Sequence, residues 1–299
     1  MPGWLGLAAL AGGAAAALLL LYWLLVLTEG AYLGPGAVTA LYNRAARRYD
    51  AIKQFDDEDE AYFLGRPIAR FLAGQTSPAH SSPWLLDVAT GTGRLPLAVL
   101  RSSAGDCRIV ALDRSAAMLA QAQQKLAAQG WPDVVLLAHD ASHLPFADSR
   151  FAVVACLEAL EFMPAPEAAL IELLRVVQPG GLLVTTHRIG RDAALMPGRV
   201  FSRTRLTDLL RSQGAASVEI MPWQLDYDLV FAVRQGQGAP SETASWTDLL
   251  RCPLCHTAPA LASGPELAVV CPRCGWRLAL TQGLWQAERV RKSLQPASS

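Results

Sequence analysis

The sequence predicts an α/β fold with a mostly parallel sheet, an apolar helix in front of it and a small cysteine-rich module behind it. Three observations lead there. Short apolar runs at 84–89, 108–112, 134–138, 152–157 and 182–186 alternate with amphipathic stretches, the pattern of βαβ units with right-handed crossovers. Residues 3–27 carry no charge and are nearly all apolar. Two Cys-x-x-Cys pairs lie close together near the C-terminus. With 299 residues and 52% apolar content, the chain can bury a sizeable core.

From the N-terminus, the uncharged stretch is long enough to cross a bilayer core of about 30 Å as a helix. A cleaved signal peptide is the competing reading. It calls for a basic leading region and a small-residue cleavage site, and here only the amino terminus supplies positive charge upstream. A transmembrane anchor over 1–30, in the membrane through residues 3–27, is therefore expected. Arg44, Arg47 and Arg48 follow, so the positive-inside rule places the rest of this single-pass chain in the cytoplasm. Residues 31–83 read as a linker and helical cap, helical over 37–75 with an acidic run at 56–60.

The body spans 84–236. Its first strand, Leu85-Leu86-Asp87-Val88-Ala89, ends in a carboxylate and turns through Thr90-Gly91-Thr92-Gly93 into a helix. Gly91 and Gly93 tolerate positive φ and lack a Cβ, so backbone can approach a ligand there. Such a turn alone also closes connections that bind nothing. Asp113 ends the second strand, where a carboxylate faces the same crevice and accepts from ribose hydroxyls. Asp140, followed by Ala141, comes after the third strand. It can accept from an adenine amine with apolar neighbours such as Phe146 holding the ring, or simply cap the next helix. A helix over 204–213 and strands at 217–221 and 229–233 close the body as a hairpin.

Jointly, Asp87-x-Ala89-x-Gly91-x-Gly93, Asp113, Asp140-Ala141-x-x-Leu144-Pro145-Phe146 and Leu174-Arg175-Val176-Val177-Gln178-Pro179-Gly180-Gly181-Leu182 resemble the class I S-adenosylmethionine-dependent methyltransferases. The resemblance covers 84–234. It implies a Rossmann-like seven-stranded methyltransferase sheet with a reversed last strand, and S-adenosylmethionine held by Asp87, Ala89, Gly91, Gly93, Asp113, Asp140 and Ala141. Through Tyr42-x-x-x-Ala46-x-x-Tyr49-Asp50-x-Ile52 the chain is most similar to methyltransferases of ubiquinone and menaquinone synthesis, which implies a small or lipid-soluble acceptor. Ala89 departs from the glycine usual at its position. A nicotinamide site is disfavoured, because the sixth position of the turn is Pro96 and Asp87 would repel a pyrophosphate.

Methyl transfer to an activated sulfonium needs positioning above all, and a base only where the acceptor loses a proton. Glu158, Glu161 and His187, at the ends of the fourth and fifth strands, are the catalytic candidates, with His143 near the cofactor rim. Each also has a plain structural reading, the glutamates as first-turn residues of a helix and the histidines as surface groups.

After a linker at 237–248, Cys252-x-x-Cys255 and Cys271-x-x-Cys274 have the spacing of a four-cysteine structural zinc site. This module, 249–286, resembles zinc ribbons, including the small activator subunits of certain methyltransferases. That resemblance allows a protein partner. Trp276 and Trp285 are expected to pack its small core, and 287–299 to form a solvated tail. Lys plus Arg and Asp plus Glu both number 26, so no basic footprint argues for nucleic acid. The expected function is a membrane-anchored methyltransferase acting on a small or lipid-soluble acceptor. The alternatives are a protein or RNA acceptor recruited by the ribbon, and a non-catalytic cofactor-binding scaffold.

Overall fold

The computed structural model describes residues 3–75, 82–103, 107–237, 245–262 and 267–288. Most of the expected 237–248 linker and nearly all of the expected 287–299 tail lie outside the described residues. The apolar segment forms helix α1 (Gly3–Tyr22), continued by one wider turn, Trp23–Leu27. The cap is helical as expected, in two runs: α2 (Pro35–Ala45) joined by a tight turn to α3 (Tyr49–Lys53), and α4 (Asp57–Glu60) joined by a wider turn to α5 (Arg66–Ala73). The single break between the runs has local causes. Gln54 ends α3 in the left-handed region at φ 50°, and Asp56 caps α4 by accepting from the backbone N–H of Glu58 and Asp59 at 2.8 and 3.0 Å. The acidic run then occupies the first turn of α4, where the helix dipole favours negative charge.

The body alternates as the sequence predicts: β1 (Trp84–Val88), α6 (Arg94–Ser103), β2 (Arg108–Asp113), α7 (Ala116–Ala128), β3 (Val135–Ala138), β4 (Phe151–Cys156), α8 (Pro166–Val176) and β5 (Val177–Arg188). Helices α9 (Gly190–Ala194) and α10 (Arg203–Ser212) lead to the hairpin β6 (Ala215–Gln224) and β7 (Tyr227–Arg234). Strands β1 to β5 pair in parallel, and β7 runs antiparallel between β5 and β6.

The C-terminal module adds β8 (Ala260–Leu261), β9 (Ala268–Val270), β10 (Arg277–Thr281) and β11 (Leu284–Ala287). It does not stand apart. Strand β11 pairs in parallel with β3, Trp285 opposite Leu137 and Gln286 opposite Ala138. The result is one eleven-stranded sheet in the order β6-β7-β5-β4-β1-β2-β3-β11-β10-β9-β8. Pairing hides the edge that β3 would otherwise present to solvent or to other chains.

Side chains alternate across each strand, and both faces of the sheet are covered, which is why the strands read as continuous apolar runs. Leu85, Ile109 and Ala111 face α5, α6 and α7, together with Leu64, Ile68 and Leu72 of the cap. Leu86, Val110 and Leu112 face α8 and α10 in a second cluster. That second cluster takes in Leu249, Leu250, Trp276, Leu278 and Trp285 of the C-terminal module. The two tryptophans therefore pack into the core shared with the body, not into a private one. At the cap, a Cβ on Gly65 would lie 2.4 Å from the backbone oxygen of Ala98, so only glycine lets this segment lie against α6.

Candidate active site

The glycine turn leaves β1 at Ala89, whose φ is +58°. A left-handed conformation costs a residue with a Cβ roughly 1–2 kcal/mol. The strain sits where the usual motif has glycine, and it is retained at the mouth of a cleft of about 810 Å³. Ala89, Gly91, Asp113, Asp140 and Ala141 all line that cleft. Asp113 accepts from the N–H of Gly91 at 2.8 Å and of Ser115 at 2.7 Å, which locks the turn to the end of β2. Asp140 accepts from the N–H of Ser142 at 2.8 Å and pairs with Arg114 at 2.8 Å. Burial pushes its carboxyl up, but the Ser142 bonds and Arg114 win and hold it below the ordinary range.

Two expected cofactor residues sit elsewhere. Gly93 faces α7, and a Cβ there would lie 3.1 Å from the Cβ of Ala122, so this glycine serves close packing of the turn. Asp87 lines a recess of about 380 Å³ adjoining the cleft, with Ala89, Gly91 and Glu158 common to both. It is 2% exposed, and its Oδ2 has no hydrogen-bond partner among the described residues. Burial raises its carboxyl to about 7. A buried carboxylate oxygen without a donor is costly, and a cationic ammonium is the group that would relieve it. Phe146 is fully buried and meets Phe151 edge to face at 5.0 Å, so it is a core residue and does not hold a ring in the cleft.

Glu158 lines the cleft, the recess and a third, more polar chamber of about 680 Å³. Its backbone is also left-handed, φ +50°, and its N–H donates to Thr186 Oγ1 at 2.7 Å. Lys53 and Arg94 bind its two carboxylate oxygens at 2.7 and 2.6 Å. Burial alone would raise this carboxyl; the two cations outweigh it and keep the group below the ordinary range. Arg94 also makes a two-pronged contact with Glu60 and lies 4.1 Å over the Phe55 ring.

The polar chamber is lined by Glu29, Lys53, Phe162, Arg188, Leu225 and Tyr227 among others, and Phe162 also lines the main cleft. Glu161 is 3% exposed and lines neither space. It reaches the chamber through Tyr227, whose hydroxyl donates to Glu161 Oε1. Burial pushes the Glu161 carboxyl up. Arg188 donates to the same tyrosine oxygen at 3.2 Å, and its buried Nε has no hydrogen-bond partner among the described residues. His187 is turned away: Nδ1 lies 3.2 Å from Asp228 Oδ2 and Nε2 2.7 Å from the Phe201 carbonyl, so both ring nitrogens are engaged in the structure. His143 is exposed and outside the cleft lining.

Sequence reasoning did not single out Glu29, Lys53, Arg94, Arg188 or Tyr227. One had a signal. Arg94 is a cation in the first turn of α6, where the dipole disfavours it, so its partners had to come from elsewhere in the fold. The Tyr42 to Ile52 motif proves to roof the site. Tyr42 and Tyr49 line the cleft, and Asp50 accepts from Thr92 Oγ1 at 2.5 Å and from Lys125 Nζ at 2.8 Å.

At the other end of the chain, the Sγ atoms of Cys252, Cys255, Cys271 and Cys274 lie within 4.8 Å of one another. Three of the pairs are separated by 3.3–3.6 Å. Tetrahedral zinc with bonds of about 2.3 Å sets sulfurs roughly 3.8 Å apart, so the donor set fits that ion.

The strand order, the reversed hairpin and the glycine turn tied to Asp113 define a Rossmann-like methyltransferase fold. Residues 86–185 match the family described as a methyltransferase domain. Residues 86–185 thus carry a methyltransferase domain. Among similar curated proteins are a demethylmenaquinone methyltransferase of Thermobifida fusca, 33% identical over 50% of this chain and 60% of its own, and one of Thermus thermophilus, 42% identical over 48% and 62%. A ubiquinone/menaquinone biosynthesis C-methyltransferase of Methylobacterium nodulans is 30% identical over 49% and 57%. The chain spans less than two thirds of the length of each.

Proposed function

We propose that this chain transfers a methyl group from S-adenosylmethionine to a small, lipid-soluble acceptor at a membrane surface. The observation that carries the reading is the pair of adjoining spaces that share Glu158 and Phe162. One is walled by five of the seven residues expected to hold the donor, with Asp87 in the adjoining recess, and the other is a polar chamber sized for an acceptor headgroup. The names of the relatives, which act in quinone synthesis, support that acceptor class. Helix α1, whose apolar stretch Gly6–Leu27 is unburied, supports the membrane, and Arg44, Arg47 and Arg48 support a cytoplasmic body.

The donor supplies a methyl group on a positively charged sulfur. Asp113 would hold the ribose hydroxyls, Asp140 the adenine amine and Asp87 the ammonium. Glu158, kept ionised by Lys53 and Arg94, places negative charge where the two spaces meet, favourable to a cation held there. Tyr227 and Glu161 form a proton path: the tyrosine oxygen takes a proton from the acceptor while its own passes to Glu161, whose raised carboxyl suits that task. His187 holds its strand end through Asp228 and the Phe201 carbonyl.

The test is transfer of label from methyl-labelled S-adenosylmethionine, with products separated into lipid, protein and RNA. Label in the lipid fraction is expected. Label only in RNA or protein overturns the acceptor class, and cofactor binding without transfer to any fraction overturns the activity. Burial of Trp276 and Trp285 removes the aromatic faces that base stacking by the ribbon would need.

A further inference from the structure

We infer that the face around the mouth of the polar chamber sits in the headgroup layer of a bilayer, so that an acceptor enters directly from the lipid. The inference rests on the membrane reading of α1, and it specifies how the body is held against that membrane.

No spacer separates the span from the chamber. The apolar span ends at Leu27, and Glu29, two residues on, lines the chamber and accepts from the Tyr42 hydroxyl at 2.7 Å. Successive Cα atoms are about 3.8 Å apart, so Glu29 lies within about 8 Å of the end of the span. The headgroup layer is roughly 5–8 Å thick on each side of the hydrocarbon core. The chamber wall therefore begins inside that layer.

The junction is also rigid. Thr28 and Gly30 donate back into the last turn, to Trp23 and Leu24 at 3.0 and 2.8 Å. The Trp23 indole N–H donates to the Leu195 carbonyl at 3.0 Å, and its ring stacks on Tyr32 at 4.8 Å. Tyr32 in turn donates to the Pro197 carbonyl at 2.7 Å, and Arg199 to the Ala31 carbonyl at 2.8 Å. Ala31 and Met196 pack with Phe162, one of the two residues shared by cleft and chamber. Tryptophan and tyrosine at this depth match the aromatic belt of membrane interfaces.

Apolar side chains at the chamber and at the junction are exposed. Leu225, in the β6–β7 turn, lines the chamber and is 92% exposed. At the junction, Leu33, next to Tyr32, is 50% exposed, and Leu195, whose carbonyl accepts from Trp23, is 37% exposed. The Ile189 N–H donates to the Asp226 carbonyl at 2.8 Å, joining this turn to the segment held by Trp23. Exposed leucines at the chamber and at the foot of an unburied apolar helix are explained by lipid more simply than by water.

The test uses the full chain reconstituted in phosphatidylcholine–phosphatidylglycerol vesicles. An environment-sensitive fluorescent amino acid replaces Leu225, Leu195 or, as a control on the ribbon, Leu254. Lipids spin-labelled at the headgroup are expected to quench the first two several-fold more strongly than the third. Equal quenching at all three, or failure of the chain to stay with the vesicles, overturns the inference. A flexible spacer of about twelve residues between Leu27 and Thr28 keeps the tether but frees the body. It is expected to cut transfer to a long-tailed quinol in the vesicles by roughly tenfold while sparing a short-tailed soluble analogue. Equal rates on the long-tailed quinol with and without the spacer overturn lateral entry. If the unmodified chain methylates neither quinol, the proposed activity fails, and the quenching pattern still decides the seating.

Discussion

The sheet carries two additions, and they are attached by different physics. The roof, residues 28–59, lies across the carboxyl ends of the strands and is held largely by polar side chains: Tyr42 to Glu29, Lys53 to Glu158, Asp50 to Thr92 and Lys125. The C-terminal module, over its described residues 245–262 and 267–288, is held by backbone and core. Strand β11 extends the sheet, Phe146 and Leu250 form an antiparallel bridge, and the ribbon tryptophans share the body's apolar cluster. Polar contacts near water exchange readily for hydration, whereas a buried apolar seam does not. The difference suits a site that must admit ligands under its roof yet keep Asp140, just beyond β3, in place.

The largest effect should come from the ribbon. Chelation, or Cys252→Ser, is expected to unfold residues 249–286 and, by freeing β3, to weaken S-adenosylmethionine binding, read by calorimetry and by hydrogen exchange in β3. Unchanged exchange in β3 would show that the ribbon is only an appendage. Next comes Arg94→Ala, which leaves Glu60 and Glu158 buried without their shared cation; a loss of about 3–5 kcal/mol in denaturant unfolding is expected. Lys53→Ala removes a more exposed partner and should cost about 1 kcal/mol or less, while altering acceptor KM. If the two variants lose equal stability, the distinction between buried anchor and adjustable roof is wrong.

Asp87 provides a pH test. Its folded carboxyl is raised to about 7 by burial, so its contribution to stability is present below about pH 4 and is lost as pH rises through 7. Asp87→Asn should flatten that slope in melting curves. In the wild-type chain, S-adenosylmethionine should bind more tightly from pH 6 to 8 as the carboxylate forms, and the variant should not show this gain. The smallest effect expected is Ala89→Gly, which relieves a left-handed alanine and stabilises by at most about 1 kcal/mol in the same melts. A destabilised variant would place the strain of the turn elsewhere.

Much of this molecule was legible one residue at a time. The five parallel strands, the closing hairpin and the cysteine quartet all follow from local patterns: apolar runs bounded by turns, and thiols two residues apart. The cleft-facing set Ala89, Gly91, Asp113, Asp140 and Ala141 was legible because strand ends in this topology share one crevice. Gly93 packs on Ala122, and in sequence that demand for glycine looks like the demand for glycine beside a ligand. His187 was selected by position at a strand end, and only the fold shows both nitrogens already bound. Glu29, Arg188 and Tyr227 come from three segments whose meeting no local pattern encodes.

By itself, then, the sequence determined the α/β class, the apolar leading helix, the glycine turn and its acidic neighbours, and the four thiols, because each depends on periodicity or spacing within a short stretch. Tertiary structure alone decided that the cysteine module becomes four more strands of the same sheet, that Arg94 unites Glu60 with Glu158, and that the apolar helix ends at the wall of the polar chamber. Those features rest on pairings across tens to hundreds of residues. Only burial, backbone hydrogen bonding at a strand edge and the neutralisation of buried charge select such pairings, and all three act on the folded chain.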